Sequence, residues 1–189
     1  MILPSILESA RTLIARALPT GGIAVDGTVG NGHDTLFLAE RVGERGMVYG
    51  FDIQEEALAS ARRRLEEAGC FERVRLFLRG HEEMDEVLPP ELKGRVHAAM
   101  FNLGYLPHGN PAIITRPDTT VQALTHALEW LAPGGMLTAV LYTGHPGGQE
   151  EAEQVLAWAG SLSPKLCQVM WQQLVNRRQA PSLLAVEKR

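Results

Sequence analysis

Cysteine is nearly missing from this chain. Only Cys70 and Cys167 occur in 189 residues, far apart and in no CxxC pair. That excludes a disulfide scaffold or a zinc ribbon and fits a reducing compartment. An excess of basic charge is lacking too. Lys and Arg total 18 against 22 Asp and Glu, a net charge of −4 at pH 7, whereas a general nucleic-acid coating protein is normally basic. A local RNA contact through gathered arginines stays compatible with that balance. No unbroken apolar run opens the chain: Glu8, Arg11 and Arg16 interrupt "MILPSILESARTLIARALPT", which argues against an export signal or a membrane span. There is no G-x-x-x-x-G-K-[ST] P-loop, no HExxH and no histidine pair at i, i+4 spacing among the six histidines, so no metal site is expected.

What is present is an ordinary globular composition, 45% hydrophobic and 21% charged, without low-complexity tracts or repeats. The length suits one domain over residues 1–189. Leu3, Ile6, Leu7, Ala10, Leu13, Ile14, Ala17 and Leu18 share one helical stripe, so residues 1–18 read as an amphipathic helix packed on the domain. A cytoplasmic protein is expected.

Beyond that helix, short apolar strands alternate with helical patterns. Strands are expected at Ile23–Val25, Met47–Phe51, Val74–Leu78, Ala98–Phe101 and Met136–Leu141, the last entered through the Pro133–Gly135 turn. Helices are expected near His33–Val42, Gln54–Ala68, "HEEMDEVL", Thr115–Leu131 and Gln149–Ala159. Such alternation implies a parallel sheet covered on both faces. Two closing segments, about Lys165–Leu174 and Ser182–Glu187, have no helix between them and imply an antiparallel hairpin at or beside the sheet edge. The result is a mostly parallel seven-stranded α/β sheet with a C-terminal antiparallel hairpin, the architecture of the Rossmann-like class I methyltransferases.

Three elements at strand ends carry the chemistry. "DGTVGNGHDT" places Asp26 at the end of the first strand, then Gly30 and Gly32. A dinucleotide fingerprint needs a third glycine for close helix–strand packing, and Thr35 stands there instead. Asp52, twenty residues past Gly32, ends the second strand, where a carboxylate can take both hydroxyls of a ribose; capping the helix near Gln54 is the competing use of the same oxygens. "FNLGYLP" follows the fourth strand and resembles the N-P-P-Y loop of methyltransferases that act on amino groups. A nitrogen nucleophile must aim its lone pair at the sulfonium methyl, and the Asn102 carbonyl, with a nearby backbone carbonyl, can accept its N–H groups and do so. In this order and at the tips of one sheet, the three elements point to an S-adenosylmethionine (SAM) site.

The other polar residues read less sharply. His33 opens the helix after the glycine turn, where it can approach the cofactor's carboxylate or simply cap the helix. His81 follows the third strand, where an adenine contact is plausible. "YTGHPGG" makes a tight loop after the fifth strand, and His145 there can take a proton after methyl transfer; a turn shaped only by its glycines is the alternative. His97 and His126 read as structural or surface residues. Most of the arginines, Arg62–Arg64, Arg73, Arg75, Arg79, Arg177 and Arg178, read as solvated surface charges.

"AVDGTVGNGHDTLFLA", "MFNLGYLPHGNPAIITRPDTT", "YTGHPGGQEE" and "NRRQAPSLLAVEK" together resemble the small bacterial class I methyltransferases long described as rRNA methylases. Members of that family methylate the 5-aminomethyl group of 5-aminomethyl-2-thiouridine at the tRNA wobble position. The resemblance implies cofactor contacts from Asp26, Thr28, Gly30, Asn31, Gly32, His33, Asp52, Gln54, His81 and Asn102. It implies catalytic roles for Asn102, Tyr105 and His145, and substrate contacts from Tyr105, Thr119, Tyr142, His145, Asn176 and Arg178. It also implies a tRNA anticodon loop as partner and a possible homodimer. An unpaired wobble base needs no extrusion from a duplex. One departure is visible: the late loop of the family is preceded by an aromatic and followed by paired prolines, and Leu174 and Ala180-Pro181 stand here, which puts a stacking role for that loop in doubt. The alternatives left open are an rRNA base or a small-molecule amine as acceptor, a non-catalytic RNA-binding module on the same fold and, disfavoured by Thr35, a nicotinamide oxidoreductase.

Overall fold

The computed structural model describes residues 2–104, 114–177 and 180–189. Seven strands form one sheet: β1 (Ile23–Asp26), β2 (Met47–Asp52), β3 (Val74–Leu78), β4 (Val96–Leu103), β5 (Leu131–Leu141), β6 (Cys167–Gln172) and β7 (Ser182–Lys188). Their spatial order is β3-β2-β1-β4-β5-β7-β6. The four pairings among β3, β2, β1, β4 and β5 are parallel, while β7 lies antiparallel between β5 and β6. The expected hairpin is therefore there, with its second strand inserted next to β5. Composition explains the order. Ser182 to Val186 is buried throughout, as a strand covered on both faces requires, whereas β6 is exposed along most of its length and takes the edge.

Among the described residues six α-helices cover the sheet: α1 (Ile6–Ala17), α2 (His33–Val42), α3 (Glu55–Glu67), α4 (Met84–Val87), α5 (Pro117–Trp130) and α6 (Gly148–Ser161). Alternate strand residues face opposite layers. Ala98, Met100 and Val140 meet Ile6, Ala10 and Ile14 of α1 and Leu38 of α2 in one apolar cluster. Ala99, Phe101 and Leu103 meet Leu124, Trp130 and Val155 of α5 and α6 in the other. Each fully buried aliphatic side chain contributes roughly 1.5–3 kcal/mol.

Two boundaries shift from their expected places. The N-terminal helix starts later, because Ser5 caps it by accepting from the Glu8 amide while the Glu8 carboxylate accepts from the Ser5 amide. Leu3 consequently lies before the helix and is exposed, and Leu7, though within α1, is exposed as well. β5 begins before the Pro133–Gly135 turn: Leu131 already pairs with Val96, and the turn is an excursion after which pairing resumes between Met136 and Ala98.

The chain leaves β1 toward β2 on one side and returns to β4 on the other. The ends of β1 and β4 thus diverge into a crevice, the place where open α/β sheets bind ligands.

Candidate active site

A cavity of about 640 Å³ opens at that divergence, and residues from the tips of β1, β2, β3, β4 and β5 line it. Its floor is the glycine turn after β1. Gly30 and Gly32 both take positive φ, 50° and 77°. A side chain at Gly32 would lie 2.7 Å from the Ala61 backbone, so the turn and α3 approach as closely as they do only with glycine there. Gly32 caps α2 without a side-chain bond, which leaves the amide end of that helix open toward the cavity.

Three aspartates organise the turn and the start of α2. Asp26 is completely buried beneath it and is not among the residues lining the cavity. Its two oxygens accept from the Thr28 amide at 3.1 Å and the Thr35 hydroxyl at 2.6 Å. Burial, then the nearby Asp34 charge, pushes its pKa up to about 7. The residue that stands where a dinucleotide site has glycine therefore braces the turn. Asp52 lines the cavity and accepts from the Gly30 amide at 2.8 Å and the Gln54 amide at 2.9 Å. Burial raises its pKa, opposed by those amide bonds. Asp52 is not the cap of α3, whose cap residue is Gln54; each Asp52 oxygen spends one lone pair on the backbone and keeps one. Asp34, in the first turn of α2, is buried, lines the cavity, and was missed in the sequence. An acid in a first helical turn reads as an ordinary complement to the helix dipole.

Thr28, Asn31, His33, Gln54, His81, Thr119 and Tyr142 also line the cavity. The Thr28 hydroxyl accepts from the Asn102 amide at 2.7 Å and ties the tip of β1 to the tip of β4. Arg64 donates to the Asn31 carbonyl at 2.8 Å and approaches the exposed His33 ring, so one arginine expected at the surface pins the turn instead. His33 has a lowered pKa, first from burial and then from the Arg64 and Arg11 cations. His81 is buried, its Nδ1 3.1 Å from the Gly27 carbonyl and its ring edge-on to Phe101. A carbonyl only accepts, so Nδ1 carries the proton, and burial holds the ring neutral by lowering its pKa. Tyr142 is half-buried and has its pKa raised by burial, then by Asp34.

Asn102 ends β4 in the cavity wall. Its side-chain nitrogen donates to Asp34 at 2.7 Å, and its carbonyl oxygen is buried with no partner among the described residues. Gln54 Oε1 is a second such oxygen on the cavity lining. Other expected residues lie apart. His145 bonds through Nδ1 to the Pro146 carbonyl, packs beside Gly104 and Gly148, and is not among the lining residues. Asn176 is exposed in the turn between β6 and β7. Tyr105 and Arg178 lie outside the described residues. His97 accepts from the Ile23 amide and His126 bonds to the Glu82 carbonyl, so both are tied into the backbone. Sequence reasoning also missed Glu151, buried at the start of α6. It accepts from the Thr115 and Thr120 hydroxyls at 2.7 and 2.6 Å and clamps the chain where it re-enters the cavity wall.

Among the described residues no cluster of His, Cys, Asp and Glu is placed to hold a metal ion, and no helix is long and apolar enough to cross a membrane.

The family model described as "Putative rRNA methylase" matches residues 48–188. The chain belongs to that family. This rRNA methylase family member is 41% identical, over 96% of its length and 69% of the other's, to the chloroplastic tRNA (mnm(5)s(2)U34)-methyltransferase of Arabidopsis thaliana. Of the solved structures, one from Clostridium thermocellum carried under the same rRNA-methylase description is 40% identical with a TM-score of 0.95, each chain covered in full. A methyltransferase from Streptococcus mutans, solved in complex with SAH, is 34% identical with a TM-score of 0.89, again over both full chains. The mixed sheet with its inserted β7 is thus the class I methyltransferase fold of this family.

Proposed function

We propose that this methyltransferase transfers the methyl group of SAM to the primary amine of 5-aminomethyl-2-thiouridine at the wobble position of tRNA, giving the 5-methylaminomethyl form. The observation that carries the reading is the buried carbonyl oxygen of Asn102 in the cavity wall, which has no partner among the described residues. It is an acceptor waiting for a donor, and an amine brings N–H donors. The identity to the Arabidopsis tRNA methyltransferase supports the choice of substrate.

The cavity suits the cofactor on the chemistry of its lining. Asp52 keeps free lone pairs for ribose hydroxyls, Gln54 Oε1 is a buried acceptor, neutral His81 offers a ring contact for a base, and the open amide end of α2 suits a carboxylate. Thr28, Gly30, Asn31, Gly32 and His33 shape that end, and Asp26 holds the turn from below. SAM, when bound, supplies an electrophilic methyl on a sulfonium and leaves as SAH. Asn102 accepts an N–H of the neutral amine and turns the nitrogen lone pair toward that methyl. Transfer would form the N–C bond as the donor's C–S bond broke, and the resulting ammonium would give its proton to water. Thr119 and Tyr142 line the cavity and are nucleoside contacts in this reading. Tyr105, His145, Asn176 and Arg178 belong to the same proposal as substrate contacts. The anticodon loop is the docking partner, the cytoplasm the place of action, and a homodimer the assembly in this reading.

The test is methyl transfer by the purified protein to tRNA that carries the 5-aminomethyl nucleoside, followed by nucleoside mass spectrometry. Formation of the 5-methylaminomethyl nucleoside is expected. No product there, or product on rRNA instead, sinks the assignment.

A further inference from the structure

We infer that Asp34, held by Arg11 of the N-terminal helix, is the positioning residue that decides which end of the Asn102 amide faces the substrate. The inference rests on the reading of Asn102 given above and deepens it.

An asparagine amide is nearly symmetric in shape, and its two ends are opposite in function. With its oxygen toward the amine, Asn102 accepts an N–H and leaves the nitrogen lone pair free to attack. With its NH2 toward the amine, it donates into that lone pair and ties up the electrons that must form the N–C bond. The backbone cannot choose between these, because the main-chain bond from Asn102 to Thr28 Oγ1 is the same in both. Asp34 chooses. A carboxylate only accepts, and its Oδ2 takes the Asn102 nitrogen at 2.7 Å, so the Asn102 oxygen has to turn away from Asp34. That oxygen is the buried atom without a partner among the described residues.

The other Asp34 oxygen is fully engaged. Oδ1 receives Arg11 Nε at 2.8 Å and Nη2 at 2.7 Å, so the carboxylate cannot swing without breaking a two-pronged ion pair. Arg11 is itself held over the Phe37 ring at 5.4 Å. The residues come from three places, α1, α2 and the end of β4, and Arg11 and Asp34 both line the cavity. The N-terminal helix, which lies outside the alternating strand–helix core, thereby reaches the chemistry.

The experiment is a comparison of Asp34→Asn, Asn102→Ala and the double variant, with kcat and KM for tRNA and the Kd for SAH measured on each. Asp34→Asn keeps the shape and removes the acceptor-only character, so Asn102 can present either end. The expected result is a fall in kcat of about 10- to 100-fold, as misplacement at a reacting centre produces, with KM for tRNA and Kd for SAH within about twofold of wild type. Asp34→Asn in the Asn102→Ala background is expected to cost nothing further, because Asp34 acts only through Asn102. Wild-type kcat in Asp34→Asn, or losses that multiply in the double variant, would overturn the inference. A loss of SAH binding parallel to the loss of kcat overturns it too, since it makes Asp34 part of the cofactor site. If Asn102→Ala itself keeps full kcat, it is the reading of Asn102 that fails. Arg11→Met keeps the aliphatic stem over Phe37 and gives an independent arm should Asp34→Asn fold poorly. A smaller drop in kcat with unchanged SAH affinity is expected, and an unchanged kcat overturns the role of the pair.

Discussion

The two halves of the cavity are built on different plans. On the donor side, the turn after β1 and the end of β2, every aspartate oxygen is already engaged: Asp26 by Thr28 and Thr35, Asp52 by Gly30 and Gln54. These partners all fall between residues 26 and 54, within one strand–helix–strand unit. On the acceptor side the partners are Arg11, Asp34 and Asn102, separated by 23 and 68 positions in the chain, and the Asn102 oxygen has no partner among the described residues. The donor side is a cradle whose shape exists before ligand arrives. The acceptor side holds one unmet hydrogen bond in a fixed direction. Pre-built shape serves binding, as does the buried Gln54 Oε1 within that cradle; an oriented, unsatisfied group beside the acceptor serves the reaction.

That contrast can be broken in four ways. The largest effect is expected from Gly32→Val, which combines a positive φ with a Cβ 2.7 Å from the Ala61 backbone. A cost of about 3 kcal/mol or more and loss of measurable SAH binding are expected. Thermal melting and calorimetry check it, and a melt like that of wild type would mean the turn is more plastic than its packing implies. Next comes the pH dependence set by Asp26. Its folded pKa of about 7 stands above the ordinary carboxylate value of 3.8, so the folded state holds this proton more tightly than the unfolded chain does. The sign follows: this group's contribution to stability falls as pH rises from about 4 to about 7, then stays level, by on the order of a few kcal/mol. Denaturant midpoints for Asp26→Asn across that window should lack this slope; an identical slope in both proteins would place the titration elsewhere.

Third is Asn102→Ala. A fall in kcat of about 10²-fold is expected with SAH affinity nearly intact, since its loss is on the acceptor side alone. Equal losses in both would erase the distinction between the halves. The smallest effect is expected from Asp52→Ala, about 10- to 30-fold in SAH affinity, the worth of one or two charge-assisted hydrogen bonds. Titration calorimetry reads it, and wild-type affinity would remove Asp52 from the cofactor site.

The legibility of the sequence follows the same division. Strand–helix alternation, the closing hairpin and the succession Asp26, Gly30, Gly32, Asp52 are local patterns, and local backbone preference is what sequence periodicity reports. Thr35 was legible as a missing glycine, though its bond to Asp26 was not. Asp34 went unread because an acid in the first turn of a helix is commonplace, and Arg11 because it sits on the polar edge of an amphipathic stripe. Glu151 gave no signal at all, since a buried glutamate is told from a surface one only by the Thr115 and Thr120 hydroxyls that meet it.

By itself the sequence determined the fold class, the place of the cavity at the strand tips and the glycine turn and Asp52 that border it, because each rests on residues near one another in the chain. Only the tertiary structure decided that β7 enters beside β5, that Asp26 lies beneath the site rather than in it, and which way Asn102 points. Those outcomes depend on burial and on hydrogen bonds between distant segments. The direction of one amide is set by a carboxylate 68 residues before it and an arginine 23 residues before that, a relation that exists only once α1, α2 and β4 have packed together.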